Sequence, residues 1–102
     1  MRECQNLAEV RESIDQLDEQ IIQLISERSQ YVNQAASFKK DIDAVKAPAR
    51  VEAIITKVRQ LATEHQLNPT IAENVYRAMI ASFIEDELQE HQRIQSTPPS
   101  SQ

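Results

Sequence analysis

Residues 7–45 read LAEVRESIDQLDEQIIQLISERSQYVNQAASFKKDIDAV. Within them Leu7, Val10, Ile14, Leu17, Ile21, Leu24, Arg28, Tyr31, Ala35, Phe38, Ile42 and Val45 recur in steps of three and four, which is the seam of an amphipathic helix rather than the alternation of a strand. A helix from Leu7 to about Asp43 is roughly 55 Å long, more than the width of a compact domain of this mass. It needs a long partner. The apolar sets of the two later segments, Val51, Ile54, Ile55, Val58, Leu61, Ala62 and Ala72, Val75, Tyr76, Met79, Ile80, Phe83, are too short to cover it alone. A second copy of the chain is the natural cover, so the pattern predicts a helical homodimer.

Composition narrows the class in the same direction. The 102 residues contain no glycine and only four aromatics, which leaves little from which to build hairpin turns, β-architectures or phosphate-cradling loops. A chain of this size alone buries only about 60 to 65% of its unfolded surface, a further reason to expect a second copy. Eleven basic against sixteen acidic residues give a net charge of −5, which argues against a general nucleic-acid or anionic-membrane binder. An anion site, if present, is local. Cys4 has no second thiol to bridge or to share a zinc ion with, and no stretch reads as a signal peptide or membrane span. The expectation is a cytoplasmic protein without metal or cofactor.

Prolines at 48, 69, 98 and 99 divide the chain into three helices per protomer. Asn6 with Glu9 resembles a capping box, Pro48 and Pro69 suit first helical positions, and Asn68 is a good N-cap. Residues 1–94 form the helical domain, and the Ser- and Pro-containing stretch 95–102 is expected to be a disordered polar tail.

Three residues break the pattern. Arg28 occupies a seam position that its neighbours fill with apolar side chains, and a buried guanidinium needs an anionic partner. That partner is either a structural carboxylate, such as Glu27 or a neighbour's Glu73, or a ligand. On a continuous helix Lys39 would lie within about 20° of Arg28 and roughly 16 Å along the axis, so a small dianion could bridge them. Otherwise Lys39 snorkels to water. Glu87 follows Phe83 by four residues and Met79 by eight, on the apolar face of the last helix, where desolvation favours a protonated carboxyl able to donate. Its neighbours Glu85 and Asp86 suit a solvated face instead. Arg11 lies roughly 25 Å from Arg28 along the helix, so the two can meet at one ligand only across an antiparallel dimer. No serine stands beside a histidine or a glycine elbow, and His65 and His91 share no ligand spacing.

Leu7-Ala8-Glu9-Val10-Arg11-Glu12, Ile14-Asp15, Leu17-Asp18, Leu24-Ile25-Ser26-Glu27-Arg28 and Phe38-Lys39 resemble the first helix of the all-helical chorismate mutases. The resemblance covers about residues 7–92. It implies an intertwined, domain-swapped homodimer of three-helix chains, with Arg28 and Lys39 of one protomer and Arg11 of its partner gripping the carboxylates and ether oxygen of chorismate. The implied reaction is the Claisen rearrangement to prephenate of the shikimate pathway, with Phe83 lining the pocket and Lys39, Arg28 and Glu87 acting on the substrate.

The chain also departs from the mutase pattern. Pro48-Ala49 stands where many mutases carry Arg-Glu, and Phe83 replaces a small hydroxyl residue. With Tyr31-Val32, Ala35-Ala36 and Arg50-Val51 these look like the branch of isochorismate-pyruvate lyases, which makes salicylate and pyruvate in a similar pocket. Glu87 replaces the Gln of most bacterial relatives and resembles the Glu of eukaryotic-type mutases, which must be protonated to donate to the ether oxygen. A non-catalytic helical dimerisation module is the third expectation.

Overall fold

The computed structural model describes residues 1–39 and 41–96, apart from the side chains of 43, 91 and 93–96. The architecture is all-helical: α1 spans Leu7–Ala36, α2 Ile42–Lys46, α3 Pro48–Glu64 and α4 Pro69–Ser96. Three long helices match the expected division, and α2 is a single turn added between the first two. The chain forms two units, residues 1–35 and residues 36–102.

In the first unit the N-terminus of α1 is capped as its sequence predicts. The Glu9 amide donates to Asn6 Oδ1 at 2.9 Å, and the Glu9 carboxylate accepts from the Gln5 amide at 3.1 Å and from the Asn6 side-chain amide at 3.4 Å. Arg2 pairs with Glu9 at 3.3 Å and donates to Ser13 at 3.2 Å, which folds residues 1–6 back along the helix. Between that segment and α1 lies a groove of about 550 Å³ lined by Met1, Cys4, Val10, Ile14 and Leu17. α1 itself buries no residue. Its seam stays open: Leu17, Ile21, Leu24 and Tyr31 keep 56%, 51%, 63% and 71% of their surface.

The second unit begins with a correction to the sequence reading. α1 ends at Ala36, not near Asp43, because the chain turns at Ser37-Phe38 and the Lys39 amide bonds to the Ala36 carbonyl at 3.1 Å. Asp41 then restarts the helix, its carboxylate accepting from the Ala44 amide at 2.8 Å as an N-cap does. The seam spacing runs unbroken through Phe38, Ile42 and Val45, but Val45 is buried from α2, a separate turn of helix packed against α4.

The absence of glycine is met by two residues in the left-handed region. Ala47, at φ 37° and ψ 61°, precedes Pro48, which disfavours the right-handed helical region for the residue before it. Gln66, at φ 64°, is the turn residue of a Schellman motif closing α3: the Leu67 amide bonds to the Ala62 carbonyl at 2.8 Å and the Gln66 amide to that of Thr63 at 3.2 Å. Asn68 caps α4 through the Thr70 amide at 2.9 Å, with Pro69 at the first helical position.

α3 and α4 pack as a hairpin around Val58, Ala62 and Ala72, flanked by Ile54 and Tyr76, while Ile55 and Ile80 are buried further along. Each fully covered aliphatic side chain contributes roughly 1.5–3 kcal/mol. Over this core runs an ionic ladder. Arg77 grips Glu52 through two bonds of 2.9 and 3.0 Å and reaches Glu73 at 2.8 Å, and Glu73 accepts from Arg59 at 2.7 Å. Hydrogen bonds from Arg77 lower the carboxyl pKa values of Glu52 and Glu73, helped at Glu73 by Arg59, and the same bonds raise that of Arg77. The helix of α4 runs through Ser96, and the remainder of the expected tail lies outside the described residues. Among the described residues no helix is long and apolar enough to cross a membrane.

Candidate active site

Lys39 and Glu87, 48 residues apart, meet. The Lys39 ammonium lies 3.1 Å from one Glu87 oxygen and 3.4 Å from the other, with the two side chains only 24% and 11% exposed. Each partner is placed by a different local device. Lys39 follows directly on the turn that ends α1, and Glu87 lies one turn beyond the half-buried Phe83 on α4, with the half-buried Leu88 beside it. Glu87 is therefore not on a solvated acidic face, and Lys39 does not snorkel.

An ion pair largely withdrawn from water interacts more strongly than a surface pair, and each charge depends on its partner to offset its desolvation. Chemically, the pair offers an ammonium able to donate to a ligand oxygen and a carboxyl that accepts when ionised and donates when protonated. Such a pair suits reactions governed by positioning and charge.

Of the other predicted residues, Phe83 lies on α4 in the second unit, while Arg28 and Arg11 lie in the first. Arg28 is half-buried on α1, at the seam position its spacing assigns, and Arg11 is exposed near the start of that helix. The helical phase connecting Arg28 to Lys39 in the sequence reading does not hold, since α1 ends three residues before Lys39. Within the chain Glu73 binds Arg59 and Arg77. Sequence reasoning singled out both Lys39 and Glu87 but missed that they bind each other. No local spacing encodes a contact formed only when α4 returns along α3. The available signal was Glu87, an acid on the otherwise apolar face of the last helix, which calls for a cationic partner.

Residues 10–88 match the family described as chorismate mutase type II. The chain belongs to that family. Members similar to it include the isochorismate pyruvate lyase of Pseudomonas aeruginosa, 33% identical over 86 residues that cover 84% of this chain and 85% of that protein. The chorismate mutase of Methanocaldococcus jannaschii is 30% identical over 77 residues, covering 74% of this chain and 78% of that protein. The type II match takes in Arg11, Arg28, Lys39, Phe83 and Glu87 together.

Proposed function

We propose that the protein is a chorismate mutase that rearranges chorismate to prephenate in a cationic pocket completed by a second copy of the chain. The family match spanning all five site residues carries this reading. The reaction is a Claisen rearrangement: the ether C–O bond breaks as a C–C bond forms, and no proton is transferred. An enzyme accelerates it by holding the compact diaxial conformer and by stabilising negative charge that develops on the ether oxygen. In this reading Arg28 and the partner's Arg11 clamp the two carboxylates, since a guanidinium matches a carboxylate through two parallel bonds. Lys39 addresses the ether oxygen, Glu87 sits beside it, and Phe83 lines the pocket. No cofactor or metal takes part, and the reading places the protein in the cytoplasm with the shikimate pathway.

The homodimer is supported by the exposed seam of α1. Its apolar residues occupy one stripe at coiled-coil spacing, and a single copy leaves them in water. An antiparallel partner helix covers that stripe and carries Arg11 towards the middle of the other chain. Such exchange is the intertwined, domain-swapped form.

The second reading is an isochorismate pyruvate lyase, giving salicylate and pyruvate by a pericyclic elimination. It is favoured by the likeness to the Pseudomonas aeruginosa lyase and by Pro48 and Phe83 at positions where mutases differ. Incubating the purified protein separately with chorismate and isochorismate and identifying the products decides between them. Prephenate from chorismate is the expected result. Salicylate with pyruvate from isochorismate, and no prephenate, would make it a lyase, and no product from either would leave a dimerisation module.

A further inference from the structure

Over the first turns of α1 the seam is partly covered by the chain itself. The preceding residues are held along the helix by the Arg2–Glu9 pair at 3.3 Å, by Arg2 donating to Ser13 at 3.2 Å, and by the Cys4 sulfur 3.9 Å from the same hydroxyl. The groove between them has Met1 and Cys4 on one side and Val10, Ile14 and Leu17 on the other. Those last three are seam positions. Val10 and Ile14, at 39% and 49%, are the least exposed of the apolar seam residues from Leu7 to Tyr31. We propose that residues 1–5 form a displaceable strap, which competes with a second copy of the chain for the start of the α1 seam and guards that seam until the copies pair. The inference rests on the homodimer of the proposed function and adds a control on its assembly.

The competition follows from space. Helices packed side by side have axes about 8–10 Å apart, so a partner's side chains fill the layer directly above the seam. Met1 and Cys4 face Val10, Ile14 and Leu17 across that same layer. A helix seated on the seam and a strap folded over it cannot both occupy it.

The anchors are of a kind that gives way. The Arg2 and Glu9 side chains are 47% and 30% exposed, and an ion pair so open to water is weak. None of residues 1–5 is buried, and only Cys4 among them is half-buried. Release also leaves α1 with a cap, because the Glu9 amide bonds to Asn6, outside the strap.

Helical phase decides what the strap controls. At about 100° of turn per residue, Glu9 and Ser13 lie on one flank of the seam and Arg11 on the other. The strap therefore closes over the apolar stripe and leaves the Arg11 guanidinium untouched. Each of two chains must release its strap before they pair, so the apparent dissociation constant of the dimer carries the strapped fraction twice.

The test is sedimentation across protein concentrations of the intact chain, of a chain starting at Asn6 behind an initiator methionine, and of Arg2→Glu. The substitution sets an acid against Glu9 and opens the strap without shortening the chain. Either change should tighten the dimer by roughly tenfold, about threefold for each strap released. In the opposite direction, Ser13→Cys brings a second thiol beside Cys4, and oxidation within one chain ties the strap down. Nonreducing electrophoresis separates this bridge from one between chains. The tied form should dimerise at least about tenfold more weakly than the same protein after reduction. An unchanged or weaker dimer on opening, or a tied form that pairs as tightly as the reduced one, overturns the strap and leaves the homodimer standing. Intact and opened chains that both stay monomeric at every concentration overturn the strap and the homodimer together.

Discussion

α1 and the α3–α4 hairpin have similar raw material and opposite fates. Both carry apolar residues at helical spacing, but α3 buries Ile55, Val58 and Ala62 within its own chain, whereas α1 fully buries no residue along its 30. The difference lies in what each helix has opposite it. The turn at Gln66 folds α4 directly back on α3, so that small side chains at Ala62 and Ala72 let the two approach closely. α1, about 45 Å long, has no such return segment within its own unit, and under the proposed function its seam is covered by another copy. Amphipathicity thus identifies a face to be covered without saying by which molecule.

The contrast can be broken most strongly through the proposed chemistry. Arg28→Ala should lower turnover of chorismate by about a thousandfold or more while a folded dimer persists, because the seam loses a cation rather than an apolar contact. Steady-state rates with sedimentation analysis check both halves. Mixed with Arg11→Ala chains under conditions of subunit exchange, the same variant should recover roughly a quarter of the unsubstituted rate, since half of the dimers carry one intact pocket. Absence of recovery after proven exchange would rule out a pocket shared between chains.

Next in size is the seam itself. Leu17→Asp with Ile21→Asp should weaken dimerisation by roughly a thousandfold, from two lost aliphatic burials and two buried charges. Analytical ultracentrifugation across protein concentrations measures this, and an unchanged dimer would show that another face is used. On the hairpin side, Ile55→Ala should cost about 2–4 kcal/mol in urea unfolding, with little direct effect on the proposed pocket.

The smallest effect belongs to the ionic ladder. Arg77→Ala should destabilise less than Ile55→Ala, since exposed pairs are screened by water and salt. Because Arg77 lowers the pKa values of Glu52 and Glu73, its contribution is present above the ordinary carboxylate range and is lost as pH falls through their lowered values. Urea midpoints of the two proteins should therefore converge as pH falls below the ordinary carboxylate range. A constant gap would place the effect of Arg77 in packing instead of charge.

Sequence was most informative where the physics is local. The Asn6–Glu9 box, the Asn68 cap and the prolines opening α3 and α4 all act within a few residues, and each forms as read. The end of α1 was hidden because Phe38, Ile42 and Val45 keep the seam spacing across the break, while the features that end it, a turn at Ser37-Phe38 and a cap at Asp41, are weak signals individually. Arg28 and Glu87 were legible as anomalies, a cation at a seam position and an acid on an apolar face. The partnership of Lys39 with Glu87 was not, because that contact depends on the length of α4 and the tightness of the Gln66 turn.

A longest helix that fully buries none of its residues also changes what stability means for this chain. When the cover for α1 is another copy, folding and association are one equilibrium, governed by mass action. The melting temperature then rises with protein concentration, and dilution alone moves the population towards chains with an uncovered seam. The same dilution dismantles any pocket that draws Arg11 from a partner, so specific activity falls with concentration even when every individual chain is intact.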